Sequence, residues 1–306
     1  MLTEKGTVME IAPEDTHPKV DRILSQSFLE PKSISETLDA FTSIAITKWS
    51  RPLGFFFQSI AGGAMVCFGV ILAISVGAGI STPGIANLVS GLVFGFSFVA
   101  IMVSGASLIT SDMAAGFVAM SRRKMTFLSY IGFLLVGWIG NIVGAFIFIG
   151  IVAAGPGAYA KAIFIDRAHL IAVSKVGPDA ISVFCMAIIC TWLLQTSFFL
   201  YVKARTDVGK MVVAWYGPLA FVAGMTEHCI ANIGMIGLPL LMQSRYIALN
   251  SAALAAPASK IKLLTWGFGH FGLFRNELIV WAGNWIGGTV FVAIVFMIIS
   301  WAYDKD

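Results

Sequence analysis

The sequence predicts an all-α membrane protein with six transmembrane helices. Of its 306 residues, 58% are hydrophobic and only 12% are charged, whereas about a quarter of the residues in a soluble domain carry a charge. The apolar residues are also grouped, because residues 52–111, 125–160 and 278–303 contain no Asp, Glu, Lys or Arg. About 20 apolar residues carry a helix across the hydrocarbon core. The ten-residue alternation typical of a transmembrane β-barrel is missing from the sequence.

Six apolar runs give the expected spans in chain order. They cover about residues 53–79, 85–120, 127–154, 180–202, 211–243 and 278–303. The second and fifth runs are too long for one straight crossing, and polar residues interrupt both, at 105–112 and at Glu227 and His228. Irregular backbone persists in a membrane only where protein buries it or where it lines a cavity. We therefore predict that the second and fifth helices are broken.

A polar segment, residues 1–50, precedes the apolar part of the chain. Ser33 and Glu36 have capping-box spacing before an apolar-periodic stretch that ends near Trp49, which predicts a helix lying on the membrane surface. Residues 1–30 fit a flexible tail equally well. Because these residues contain no apolar signal core, we expect the first span to direct insertion. The predicted organisation is an N-terminal segment over 1–50, a pore domain over 51–303 and a short tail over 304–306.

The basic residues of the short loops predict the orientation. Those at 48–51, 122–124 and 203–210 fall on one side if six spans alternate, and the positive-inside rule places that side in the cytoplasm. Both termini would then be cytoplasmic. We expect an integral protein of the plasma (inner) membrane that contacts the lipid bilayer.

A short motif occurs once in each half of the chain. The sequence W-I-G-N-I-V-G over residues 138–144 recurs as W-A-G-N-W-I-G over residues 281–287. Two related halves of three spans each must be inverted relative to one another, since three is odd. Inverted repeats are typical of transporters, whose substrate sites lie near the midplane at the repeat interface. The alternative is chance similarity between glycine-rich helices.

Several functional classes are disfavoured by the composition. The net charge of +4 is small and scattered, so we expect no nucleic-acid partner. The four cysteines lie in apolar runs without metal-ligand spacing and are interpreted as packed thiols; no cofactor or metal is expected. An intramembrane enzyme would need a set of catalytic partners, and only Glu227 and His228 are candidates, so we expect the chain not to be an enzyme.

His228 is the first candidate for a functional residue. An ionisable side chain at this depth is costly, which favours a functional role, and imidazole exchanges protons near neutral pH. Glu227 beside it is interpreted as a cap for a half-helix or as the partner of a base. In the other break, Ser and Asp are good N-caps, so the half-helix is expected to start after Asp112, with the Thr110 hydroxyl in the break. Half-helix N-termini that face inward favour anions.

Four ordered motifs make the chain resemble the formate–nitrite transporter family. E-H-C-I-A-N at 227–232 resembles the family's E-H-S-x-A-N signature, and G-A-S-L-I-T at 105–110 resembles its G-A-E/D-L-F-T segment. The sequences beginning at Gly140 and Gly283 match its paired G-N-x-x-G motifs. The likeness covers about residues 33–303. Departures include Asp112, where relatives often have Thr or Asn, and Cys229, where they have Ser.

The resemblance implies an aquaporin-like fold, a homopentamer with one pore per protomer, and roles for particular residues. His228 would be the central pore histidine, with Thr110 beside it. Lys175 would be the vestibule lysine that attracts anions, and Asn284 would lie near the cytoplasmic side, although a structural role for this amide is also open. The resemblance also implies that Phe94, Phe98 and Phe221 constrict the pore above and below the histidine. The alternative is that these three residues are ordinary packing aromatics.

The function implied by the resemblance is passage of small monovalent weak-acid anions. The expected mechanism is proton-assisted: vestibules concentrate the anion, and protonation at or near His228 lets it cross as the neutral acid, since a bare charge is expensive in an apolar constriction. Formate is the first expectation, with nitrite or hydrosulfide as alternatives. A pore for water or neutral solutes is the alternative of another class.

Overall fold

The computed structural model describes residues 30–256 and 261–303. The tails expected over residues 1–30 and 304–306 therefore lie outside the described residues, except for Glu30. We number the α-helices of the described residues in chain order. They are α1 Ile34–Trp49, α2 Pro52–Gly77, α3 Pro83–Ser104, α4 Ile109–Ser121, α5 Phe127–Ala154, α6 Ala162–Val176, α7 Ala180–Lys203, α8 Asp207–Ala223, α9 Cys229–Leu241, α10 Gln243–Leu249, α11 Ser251–Ala255, α12 Leu273–Gly288 and α13 Val295–Tyr303.

Five continuous helical segments of the described residues are long and apolar enough to cross a membrane. They are Pro52–Gly77, Pro83–Ser104, Phe127–Ala154, Ala180–Lys203 and Leu273–Tyr303. The last consists of α12, a π-helical stretch over Thr289–Ile294 and α13. The remaining predicted span, over 211–243, is divided between α8 and α9, and neither half reaches the length of a full crossing.

Both predicted interruptions are present. Helix α3 ends at Ser104, and α4 begins at Ile109. Helix α8 ends at Ala223, and α9 begins at Cys229. The expected start of the half-helix after Asp112 is wrong, because Leu108 is the N-cap residue of α4 and both Thr110 and Asp112 lie in its first turn. A side chain from another helix replaces the local polar cap, as described next.

Each interruption is held by one buried asparagine. The Oδ1 atom of Asn141 accepts the N–H of Ile109 at 2.7 Å, and its amide donates to the carbonyls of Ser59 and Ser107. Asn284 does the same in the second half: Oδ1 accepts the N–H of Cys229 at 2.9 Å, and the amide donates to the carbonyls of Ala187 and Glu227. Backbone N–H and C=O groups inside a membrane have no water to bind and need hydrogen-bond partners within the protein. These two side chains supply such partners and so stabilise the irregular backbone.

The glycines next to these asparagines let helices approach closely. A Cβ on Gly144 of α5 would lie 1.8 Å from the Ile60 carbonyl oxygen of α2. A Cβ on Gly287 of α12 would lie 2.4 Å from the Ile188 carbonyl oxygen of α7. Small residues permit such contacts between membrane helices. The repeated G-N-x-x-G motif therefore combines a close helix contact with a brace for the broken helix.

The first helix, α1, matches the predicted residues and has the predicted capping box between Ser33 and Glu36. Its apolar face packs against the membrane helices, with Leu38 and Phe41 fully buried. Its position on the membrane surface stays a prediction. The interpretation of all four cysteines as packed thiols is wrong for Cys185, which is exposed on α7, whereas the other three are buried.

Candidate functional site

His228 lies where the N-terminal ends of two half-helices meet. It is fully buried and is the N-cap residue of α9. Its Nδ1 atom accepts the backbone N–H of Ala231 at 3.2 Å, and its Nε2 atom lies 3.2 Å from the Oγ1 atom of Thr110 in the first turn of α4. Because Nδ1 accepts, the neutral ring carries its proton on Nε2. The imidazole therefore presents an N–H donor toward Thr110.

Three phenylalanine rings form one cluster against the imidazole. Phe221 stacks on His228 at 5.5 Å between ring centroids, and Phe98 contacts it edge-on at 6.0 Å. Phe94 contacts Phe221 at 5.3 Å. The family resemblance implied constrictions above and below the histidine, but these rings touch one another and lie together. The reason is that Phe94 and Phe98 are one turn apart on α3 and face the same residue of α8. The cluster thus covers one side of His228 with apolar surface.

Lys175 is buried and paired. Its Nζ atom donates to the Thr226 carbonyl at 2.8 Å and to Glu227 Oε1 at 3.1 Å. Glu227 Oε2 accepts from the amide of Asn232 at 2.6 Å, and that amide also donates to Asn276. Glu227 is therefore the partner of a base and not the cap of α9. The lysine charge expected to attract anions is balanced by this carboxylate.

A second lysine–carboxylate pair lies at the first break. Lys48 of α1 donates to Asp112 Oδ1 at 2.6 Å and to the hydroxyl of Ser107 at 2.8 Å. The Ser107 hydroxyl donates to Asp112 Oδ2 at 2.6 Å. Asp112 is fully buried, whereas the Lys48 side chain is 17% exposed. Each break therefore has one lysine that is held by one buried carboxylate.

Two cavities border these pairs. A cavity of about 60 Å³ is lined by Lys175, Thr226 and Asn232 near the second break, by Phe221 and by Arg167 of α6. A wider cavity of about 490 Å³ is lined by Lys48 near the first break and by two further lysines, Lys32 and Lys210. Because Phe221 also stacks on His228, the smaller cavity is separated from the imidazole by a single aromatic ring.

Asn284 lies behind the site. It is fully buried, and its side chain makes three hydrogen bonds to backbone groups. Those to the Cys229 N–H and the Glu227 carbonyl hold the start of α9, and the third joins it to the Ala187 carbonyl of α7. The sequence also left several residues of the site without a role, namely Lys48, Ser107, Asn232, Asn276 and Arg167. One signal pointed to part of this set: Lys48 and Lys175 are each the second-last residue of the helix before a long apolar helix.

The match to a family model identifies the chain. The model, described as formate/nitrite transporter, matches residues 35–298. The chain belongs to the formate/nitrite transporter family. It is thus an integral membrane protein of a family of transporters and channels, which is consistent with the expectation that it is not an enzyme.

Individual members of the formate/nitrite transporter family are distant in sequence and similar in fold. The nitrite transporter NirC of Escherichia coli (strain K12) is 26% identical over 252 residues, which are 82% of this chain and 85% of NirC. A probable formate transporter of Methanothermobacter thermautotrophicus is 28% identical over 286 residues, covering 87% of this chain and 96% of the relative. A solved structure described as a pentameric formate channel with formate bound superposes with a TM-score of 0.68 at 20% identity, covering 82% of this chain and 98% of that structure's chain.

Proposed function

We propose that this chain conducts small monovalent weak-acid anions across the membrane, with formate as its first substrate. The observation that supports this most is the pairing of His228 Nε2 with the Thr110 hydroxyl, at a point where two half-helix N-termini meet. Helix N-termini favour negative charge through their N–H groups and dipoles. An apolar cluster next to this point excludes water, and it therefore disfavours a bare anion and favours a neutral acid.

The imidazole acts as a hydrogen-bond donor in this proposal. Neutral His228 offers Nε2–H, while Nδ1 is engaged with Ala231 N–H. A doubly protonated ring would lose this cap bond, because a protonated Nδ1 can no longer accept. We infer that the proton neutralising the anion enters with it from the more acidic side. His228 then donates to an oxygen of the weak acid as it passes Thr110.

Lys48 and Lys175 are proposed to act on either side of this point. Each lines a cavity that borders one of the two breaks. Each is tied to a carboxylate, so its position is fixed while its net effect on the local charge is reduced. The cavities concentrate the anion, and the phenylalanine cluster is the barrier that it crosses as the acid. Asn284 serves this path indirectly by holding the backbone of the break.

Flux through purified protein in liposomes tests the proposal. We expect formate influx that rises as the external pH is lowered. His228→Ser retains a side chain that can cap α9 but is too short to reach Thr110, so formate flux should fall about 100-fold, as for other donors aimed at a reacting oxygen. The matched control is His270→Ser, since His270 is exposed in the loop before α12. Unchanged pH-dependent flux in His228→Ser would refute the mechanism.

Thr110 gives a finer test of the same pair. Thr110→Val keeps the shape of the side chain and removes the hydroxyl that faces Nε2. The loss of one neutral hydrogen bond should lower formate flux about fivefold. Thr110→Ser retains the hydroxyl and should behave like the wild type. Equal losses in the two variants would mean that the side chain acts through packing.

Nitrite is the second substrate that we propose to test, because a relative that covers most of the chain is named a nitrite transporter. Parallel assays with formate, nitrite and hydrosulfide at two pH values rank the three anions. A chain that swells liposomes osmotically without carrying any of these anions would instead be a pore for water or neutral solutes.

We further infer that the two halves are inverted repeats in a homopentamer with cytoplasmic termini. The matching contacts of Asn141 and Asn284 support the repeat. The similarity in fold to a structure described as pentameric supports the assembly. Native mass spectrometry of the purified protein tests the number of subunits. Accessibility of a cysteine introduced at Lys124, in a short basic loop, tests the side of the membrane.

A further inference from the structure

Arg167 is a cation near the pathway that has no partner among the described residues. It lies on α6, about two helix turns before Lys175, and it is half-buried. None of the ion pairs between described residues includes it, and its Nε atom is buried without a hydrogen bond. Burial lowers the pKa of the Arg167 guanidinium from its ordinary value, but an arginine stays protonated in proteins.

The guanidinium of Arg167 lies close to the end of α2 and to Ser90 of α3. Its guanidinium lies against Gly77 at the end of α2, where an added Cβ would come within 3.0 Å of both Nε and Nη2. The same Cβ would come within 3.0 Å of the Ser90 hydroxyl, which donates to the Ala73 carbonyl. The glycine at residue 77 therefore leaves room for the guanidinium in this position, and a Cβ there would make it shift. The guanidinium charge lies at the edge of the smaller cavity.

The smaller cavity is suited to a small anion. Arg167 and Lys175 both line it, with the neutral polar residues Asn87, Ser90 and Ser174. The ammonium of Lys175 already donates to the Thr226 carbonyl and to Glu227. Of the two cations that line the cavity, Arg167 is the one whose guanidinium makes no hydrogen bond to the part of the chain that the structure describes. About 10–15 Å³ of such space holds one water molecule, so the 60 Å³ here accommodates a small anion with some water.

We propose that Arg167 forms a capture site for planar monovalent anions with two oxygen atoms, small carboxylates above all, at the entrance to the pathway beside Phe221. A guanidinium donates two parallel N–H groups, which match the two oxygens of a carboxylate. Nitrite has the same bent arrangement of two oxygens, whereas hydrosulfide offers one sulfur and cannot bridge both donors. This site rests on the proposed anion pathway and adds a basis for choosing among its substrates.

Direct binding tests the site independently of transport. The line width of ¹³C-formate is followed by NMR against purified protein in detergent. We expect formate to bind about tenfold more weakly to Arg167→Gln, which corresponds to about 1.4 kcal/mol, and also more weakly to Arg167→Lys, which keeps the charge and loses the fork. Lys161→Gln is the matched control, because Lys161 is exposed and immediately precedes α6. Formate binding to Arg167→Gln at the wild-type level would refute the site.

Flux measurements then test the choice between anions. In Arg167→Lys liposomes, the KM for formate and nitrite should rise about tenfold, with an unchanged maximal rate and an unchanged KM for hydrosulfide. A uniform rise for all three anions would mean that the guanidinium does not select for two oxygen atoms, and unchanged KM values for formate and nitrite would mean that Arg167 acts only through its charge; either result would overturn the proposal. Gly77→Ala displaces the guanidinium without removing its charge and should resemble Arg167→Lys. Elution of each variant at the wild-type volume in size-exclusion chromatography shows that it is folded.

The two experiments separate this site from the proposed function. If wild-type liposomes carry no formate or nitrite while formate binding still depends on Arg167, the transport proposal fails and the capture site stands. If the wild type carries formate and the Arg167 variants match Lys161→Gln in binding and flux, the capture site fails and the transport proposal stands.

Discussion

The two breaks, at residues 105–108 and 224–228, share a backbone plan and differ in chemistry. Helices α4 and α9, which follow them, both have 13 residues. A residue with positive φ precedes each helix start by four positions, namely Gly105 at 78° and Met225 at 55°. An asparagine from another helix accepts the first N–H of each helix. Leu108 is the N-cap residue in one half, and His228 is the N-cap residue in the other.

The difference between the breaks lies in their side chains and not in their backbone. The features common to both are backbone contacts that any membrane protein needs around an unwound segment. The ionisable N-cap occurs in the second break alone, since Leu108 has no polar group in its side chain. The carboxylates are also arranged differently. Ser107 and Asp112 in the first half take the positions that Glu227 and Asn232 take in the second, each pair holding one lysine.

The largest effect is expected from removing either brace. Asn141→Leu removes the hydrogen-bond partner of the buried Ile109 N–H and Ser107 carbonyl, and Asn284→Leu does the same for the Cys229 N–H and the Glu227 carbonyl. Each orphaned group costs about 1–3 kcal/mol, so each variant should lose about 3 kcal/mol or more. Thermal unfolding in detergent, followed by size-exclusion chromatography, measures the loss. Asn250→Ala, at a less buried asparagine, is the control. If only one of the two asparagine variants lost stability, the two halves would not be equivalent.

The two ion pairs should respond unequally. Glu227→Gln leaves the buried ammonium of Lys175 without a counter-charge, which costs about 3–5 kcal/mol. Asp112→Asn should cost less, about 1–2 kcal/mol, because Lys48 is partly exposed beside the wider cavity and its ammonium can turn toward water. The same unfolding assay compares them. Equal losses would show that the two sides are equally dry.

The different position of the carboxylate in the two breaks can be tested by moving the carboxylate of the first break to the position that it has in the second. The double variant Ser107→Glu with Asp112→Asn gives the first break the arrangement of the second. We expect it to recover most of the stability that Asp112→Asn loses, since the lysine regains a carboxylate within reach. The single variant Ser107→Glu, which places two carboxylates together, is the control and should be the less stable of the two. No recovery would mean that the position of the carboxylate, and not its presence, holds Lys48.

A smaller effect is expected at the residues with positive φ. A left-handed conformation costs a residue with a Cβ about 1–2 kcal/mol, and glycine avoids this cost. Met225→Gly should therefore stabilise the protein by about 0.5–1 kcal/mol after the added entropy of the unfolded chain. Gly105→Ala should destabilise it by about 1 kcal/mol. Opposite signs in the unfolding assay would support the comparison, and equal signs would contradict it.

The smallest effect is expected at the start of the second half. Asp179 caps α7, and hydrogen bonds from the side chain and then the backbone of Ser182 hold the pKa of this carboxyl below its ordinary value of 3.8. Such a group stabilises the fold above that ordinary value, and the contribution is lost as the pH falls through the lowered value. Asp179→Ala should lower the Tm by about 2 °C or less near neutral pH.

The pH dependence identifies this cap. The difference in Tm between Asp179→Ala and the wild type should shrink as the pH is lowered from about 6 to about 3. Arg51, at the start of α2, makes no side-chain cap bond, so Arg51→Ala is the control in the other half and should show no such trend. A Tm difference that is constant with pH would refute the assignment to the carboxylate.

The positions of the broken helices followed from the sequence, but their starts did not. Run length and interrupting polar residues placed both breaks to within a few residues, because the cost of irregular backbone in a membrane is a local property. The start of α4 was expected after Asp112 because local capping rules favour Asp and Ser. The structure has it at Ile109, since Asn141 reaches it from α5 and no local rule anticipates a cap from another helix.

For the candidate site, the sequence likewise predicted individual residues but not how they pair. His228 and Thr110 were singled out before any contact was known, from depth and from the break. The pairing of Lys48 with Asp112 and of Lys175 with Glu227 joins residues that are 64 and 52 positions apart. Sequence spacing carries no information at such separations. The lack of an ion partner for Arg167 among the described residues likewise depends on which helices pack beside it, and its position depends on the space that Gly77 leaves open.

By itself, the sequence determined the all-helical membrane architecture, the two interrupted helices and a histidine at the second interruption, because each follows from hydropathy and backbone hydrogen bonding along a local stretch of chain. The tertiary structure decided which groups are neutralised and which stay free. It placed Phe94, Phe98 and Phe221 in one cluster on the imidazole and balanced both lysines with carboxylates. It gave Arg167 no ion partner among the residues that the structure describes. Those outcomes depend on helix packing, which brings together side chains from distant parts of the chain.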